Sequence, residues 1–251
     1  MKITSTAIVL IALSTSIMAH ADTVKDLNGL DPEKYYGIGD VQVTEDKAAE
    51  VISQELNQAM PALAPSPLDL GSIVGSISLP VTIVNLGLKL WSFIQANQPV
   101  VNISTQSANA LPQGITSWQQ LSGWNTPMTR VFHATYKNLY GMTVIDFEYQ
   151  VIYTSGGTVK GQGRYLTNVS VLPTTVTVAW GYKLNAEVSI PDVINVGTDQ
   201  DPIAGAQIDV KWHVGTVFKS DDRAESYFVR GDGDLVQIAG LPTSVDRKTL
   251  N

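Results

Sequence analysis

From Thr175 to Ile190 the sequence alternates without a break. Val176, Val178, Trp180, Tyr182, Leu184, Ala186, Val188 and Ile190 fall on one side; Thr175, Thr177, Ala179, Gly181, Lys183, Asn185, Glu187 and Ser189 fall on the other. A period of two is the strand period, since a helix would scatter these residues around its circumference. The pattern recurs from Thr129 onward. Val131 to Tyr136 reads as a strand, and Ile145, Phe147, Tyr149, Val151 and Tyr153 alternate in the next, with Gly156-Gly157 as a hairpin signal. Arg164 to Leu172 reads as a strand closed by Pro173. Ile208, Val210, Trp212, Val214, Thr216 and Phe218 form another, followed by a turn at Ser220-Asp221-Asp222 and strands over Ser226–Val229 and Leu235–Ile238.

One apolar face per strand predicts antiparallel pairing with one wet side. Two such sheets packed face to face give the expected fold: mainly β, an antiparallel β-sandwich over 129–240 with a helical N-terminal extension. An outer-membrane barrel shows the same alternation. Against it stand the low strand count, the missing pattern in the N-terminal half and the non-aromatic last residue, Asn251.

The N-terminal half reads differently. Lys2, the apolar run Ala7–Leu13 and Ala19-His20-Ala21 predict a cleaved secretory signal over 1–21, hence a secreted or periplasmic, bacterial-type protein. Residues 22–43 read as an exposed arm. Thr44 as N-cap and an apolar stripe from Ala48 to Met60 predict a helix over 44–60, stopped by Pro61. Residues 44–97 are expected to be mainly helical, 98–128 a long connecting loop and 241–251 a polar tail. No charge falls between Asp69 and Lys89. There, Ile83, Leu86, Leu90, Trp91 and Ile94 favour a helix over 81–96. Ile77, Leu79, Val81 and Ile83 support the alternative, a strand-type, membrane-inserting hairpin within 70–90.

Composition narrows the chemistry. The chain carries 16 basic and 23 acidic residues, a net charge of −7, and no cysteine. Disulfides and thiolate metal sites are excluded, and the acidic balance argues against nucleic acid. Beyond the signal only His133 and His213 remain, without metal-ligand spacing, and no nucleophile elbow, P-loop or dinucleotide fingerprint is present. Asp146 and Glu148, two apart on one strand and so roughly 7 Å apart, offer a glycosidase-type carboxyl pair against the simpler reading of a solvated face. Asp199 with Asp201 and Asp232 with Asp234 form two acidic loops that would bind calcium or another ligand if they converged. Arg230-Gly231-Asp232 is an integrin-type tripeptide that also reads as a charged turn. Trp180 and Trp212 are expected in the core, and Trp118 and Trp124 as anchors of the long connection. No cofactor is expected, and the partner can be a protein, a glycan or a membrane surface. The function expected first is non-enzymatic, binding or structural, in the cell envelope or outside the cell. A membrane-inserting role for 70–90 and a carbohydrate-active enzyme are the alternatives.

Overall fold

The structure, a computed structural model, describes residues 29–46, 83–85, 89–95 and 100–246. It is mainly β, and its strands join one 13-stranded mixed sheet curled into a half-barrel. A four-residue helix α1 (Pro32–Tyr35) leads into β1 (Ile38–Asp46). Then come β2 (Ile83–Asn85), β3 (Lys89–Gln95), β4 (Val100–Pro112), β5 (Met128–Asn138), β6 (Thr143–Val159), β7 (Gln162–Val178) and β8 (Lys183–Ser189). The C-terminal part adds β9 (Val193–Asn195), β10 (Ala204–Gly215), β11 (Ser220–Arg230), β12 (Leu235–Ala239) and β13 (Ser244–Asp246). The hydrogen-bonded path runs β12-β11-β10-β8-β4-β7-β6-β5-β1-β13. All its pairings are antiparallel except β4 with β8 and β1 with β13.

The alternation expected over 208–214 is the burial pattern seen, while Thr216 and Phe218 of that expected strand lie beyond its end at Gly215. Along β10, Ile208, Val210, Trp212 and Val214 are buried, while Lys211 between them is exposed. The curl brings the inner faces of β5 and β6 against those of β10 and β11. Phe132 lies 4.6 Å from Tyr227 and 5.6 Å from Tyr149 between ring centroids, and Phe147 lies 6.2 Å from Trp212. The polar tips of these rings satisfy one another. The Tyr149 and Tyr227 hydroxyls meet at 2.7 Å, and Trp212 Nε1 donates to Tyr136 Oη at 2.7 Å. Each such side chain contributes about 1.5–3 kcal/mol by burial, provided its polar atom keeps a partner.

Two separate sheets are not seen among the described residues, because hydrogen bonding continues through β4, which pairs with both β7 and β8. The proposed helix over 81–96 is corrected: its described residues are β2 and β3, paired antiparallel with β4. Alternation across a backbone with ladder partners outweighs the helical stripe. Residues 44–46 of the proposed 44–60 helix close β1, and 47–60 lie outside the described residues. Residues 38–43 of the expected arm also belong to β1, with Val43 buried. The first half of the expected 98–128 connection is β4, and residues 244–246 of the expected tail are β13, parallel to β1.

Turn positions shift as well. Gly156 and Gly157 lie inside β6, and the hairpin turns at Lys160-Gly161. A side chain at Gly157 would collide with the Trp124 ring, so this glycine serves close approach. Pro173 does not end β7 but sits opposite Tyr149 beside a bulge. Asp221 and Asp222 belong to β11, the turn being Thr216–Lys219.

Candidate functional site

The strand directions set which turns meet. At one end of the sheet lie the β5–β6 turn (138–142), the β7–β8 turn (179–182), the β10–β11 turn (216–219) and the entry segment 29–37. The entry segment ties the three turns together. Asp31 N donates to Tyr140 Oη at 2.9 Å, and Leu139 N donates to the Lys34 carbonyl at 3.2 Å. Tyr35 Oη donates to the Trp180 carbonyl at 3.3 Å, and Tyr182 Oη donates to the Tyr35 carbonyl. Thr216 Oγ1 donates to the Tyr36 carbonyl at 3.1 Å, and the Tyr36 and Phe218 rings lie 5.9 Å apart.

The turns hold their shapes by local chemistry. Asn138 Oδ1 accepts from Tyr140 N at 3.0 Å and Met142 N at 3.1 Å. Thr216 Oγ1 accepts from Phe218 N and Lys219 N. Gly181 stands at φ +81°, and a side chain there would collide with the buried Tyr36 ring.

This rim presents a cluster of apolar side chains to solvent among exposed charged ones. Of thirteen exposed large hydrophobic residues among those described, seven are here: Leu30, Leu139, Tyr140, Met142, Trp180, Val217 and Phe218. Single exposed hydrophobic residues are ordinary on a protein surface, whereas these seven gather at one end of the sheet. Trp180, placed in the core from its alternation, is half-exposed at 49%; Trp212 is buried as expected. The run from Thr175 to Ile190 is two strands, and Gly181 allows the chain to reverse without breaking the parity of the pattern.

The acidic loops lie at the opposite end. Asp201 accepts from Gly163 N at 3.1 Å and lies 3.6 Å from Arg164. Asp232 is bound by Arg230, whose guanidinium holds its carboxyl below the usual range. The two loops share an end through Gly231 N donating to the Ala204 carbonyl, but Asp199, Asp201, Asp232 and Asp234 do not form a cage. Among the described residues no group of three or more His, Asp or Glu could hold a metal ion. Within the Arg230-Gly231-Asp232 tripeptide, the arginine and aspartate bind each other and Gly231 is buried.

Asp146 and Glu148 flank His133 on the outer face of β5 and β6, at 3.7 and 3.3 Å, and Thr174 Oγ1 donates to Glu148. The three therefore interlock across neighbouring strands. Ile83 opens β2 opposite Pro112, while Ile77, Leu79 and Val81 lie outside the described residues. Trp124 anchors the 113–127 loop, its Nε1 donating to the Trp118 carbonyl at 3.1 Å, whereas Trp118 stays exposed.

Two arrangements were not foreseen from the sequence. A shallow concavity of about 730 Å³ crosses the outer face of β4, β8, β10 and β11. Its rows are Asn102, Asn185, His213, Asp222 and Ser104, Glu187, Lys211, Ala224. Asn102 Nδ2 donates to Asn185 Oδ1, and His213 lies 2.7 Å from Asp222. The aromatic residue beside it, Trp212, is buried and offers no stacking surface. Inside the sheet, Glu225 is buried and accepts from Leu241 N at 2.9 Å and from Gln237 Nε2. Burial pushes its carboxyl above the usual range, and these two donors oppose that shift.

No family model, curated protein or solved structure matches this chain.

Proposed function

We propose that the protein is an exported, non-enzymatic binding protein of the cell envelope or extracellular space, and that the apolar rim is its contact surface. The observation that carries this reading is the gathering of seven exposed large hydrophobic residues at one end, six on three turns and Leu30 on the segment that laces them together. Burying such side chains on a partner stabilises the complex, and hydrogen-bonded turns keep the ordering cost of that contact low. The interlocking of His133 with both Asp146 and Glu148 on an open face favours binding over carbohydrate hydrolysis.

The test is sedimentation of the purified 22–251 chain with washed bacterial envelopes, which present lipid, protein and glycan together. Binding should fall in a Trp180→Ser, Phe218→Ser double variant. It should persist in a Val236→Ser, Ile238→Ser variant, which removes exposed apolar side chains from β12 instead. Equal binding by all three proteins would reject the rim as the contact surface.

The strands β2 and β3 favour one further reading. With them, the alternation around Ile83 belongs to a hairpin with β4 rather than to a helix, which is the local geometry a membrane-inserting 70–90 segment requires. Loss of vesicle leakage in an Ile77→Asp, Ile83→Asp variant would support it, and absence of leakage by the wild-type chain would end it.

A further inference from the structure

We infer that the occupant of the apolar rim is the interface of a lipid bilayer, met by the three turn tips together; this rests on the rim being the contact surface. The first argument is position and chemistry. The exposed side chains sit on three turns and an entry segment at one end of the sheet, and their types suit a lipid interface. Trp180 and Tyr140 are the residue types that settle at the headgroup level of a bilayer, while Leu139, Met142, Val217 and Phe218 suit the acyl boundary just beneath it.

The second argument is charge. A lysine stands beside each group of tips. Lys34 lies in the entry segment, Lys137 before Leu139, Lys183 after the Trp180 turn and Lys219 directly after Phe218. Lys34, Lys183 and Lys219 are exposed and Lys137 is half-buried. Long basic side chains beside apolar tips can lay their stems on the apolar layer and reach back to lipid phosphates. Asp31, Glu33 and Asp40 in the same region offset them, so the rim carries little net charge within a chain of net charge −7. A zwitterionic surface, whose phosphates the lysines can meet without strong overall attraction or repulsion, matches that balance. Binding driven by burial rather than by net charge then depends little on salt.

The experiment uses phosphatidylcholine vesicles, free of protein and glycan, and the full 22–251 chain. Wild type is expected to co-sediment at both low and high salt. The Trp180→Ser, Phe218→Ser variant is expected to bind about tenfold more weakly or worse, and the Val236→Ser, Ile238→Ser variant to bind as wild type. Vesicles of brominated phosphatidylcholine then report which tryptophan meets lipid. A Trp180→Phe variant should still bind but lose most of the quenching that wild type shows. Circular dichroism of each variant separates lost contact from lost fold. Wild type that sediments with envelopes through the rim but ignores these vesicles overturns the lipid assignment and leaves the rim as a protein or glycan surface. Undiminished quenching in Trp180→Phe also overturns it, because lipid then meets another face. Failure to bind either preparation removes both readings.

Discussion

Gly181 and Glu225 are two residues whose neighbours leave little freedom to change. At φ +81° and against the Tyr36 ring, Gly181 has neither the backbone conformation nor the space for a side chain. Gly181→Val is expected to destabilise the protein by about 2–4 kcal/mol, read as a lower urea midpoint with an unchanged slope. For Glu225 the sign follows from linkage. Its folded pKa is raised by burial, so between the ordinary glutamate pKa and the raised one the folded state binds more protons than the unfolded state. Stability on this account falls as pH rises through that window. Glu225→Gln should flatten the fall, as measured by urea unfolding from mildly acidic to neutral pH. A fall of equal slope in the variant would assign it to another group. Asp232 acts in the opposite sense at lower pH. With its pKa held down by Arg230, the stability it contributes is present above the ordinary aspartate pKa and is lost as pH drops through the lowered value.

At the scale of elements, the turns decide what the strands display. The 138–142 turn depends on the Asn138 side chain accepting from two backbone N–H groups. Asn138→Ala should cost about 1–3 kcal/mol and speed amide exchange at Tyr140 and Met142 more than in the β5–β6 ladder. Strands were legible in the sequence wherever alternation met a buried partner face, as in β5, β6 and β10. The rim was not. Parity runs through Ala179, Trp180 and Gly181 unchanged, so nothing in the spacing distinguishes a turn from one long strand, and the pattern alone puts Trp180 in the core. Only the isolated glycine hinted at reversal. In β2 and β3 the helical and strand periods both fitted, and only the ladder with β4 decides between them. Arg230 stands two residues from Asp232 in the Arg230-Gly231-Asp232 tripeptide and its pairing is local, whereas Arg164 is distant in sequence from Asp201 and no spacing marks that pair.

For the whole molecule, one curled sheet separates two unlike ends. One carries the apolar cluster, tied together by residues 31–36; the other carries Asp201 and Asp232 paired with arginines. The core between them, with Tyr149 bonded to Tyr227 and Trp212 to Tyr136, ties the arcs of the sheet together, and on the proposed reading the three turns would meet a partner already arranged. The central claim is that this end makes the contact. Hydrogen exchange of the 22–251 chain with and without phosphatidylcholine vesicles tests it most directly. Slowed exchange confined to 138–142, 179–182 and 216–219 is the predicted result. Slowed exchange at 197–203 and 231–234 instead, with those three turns unchanged, would contradict it.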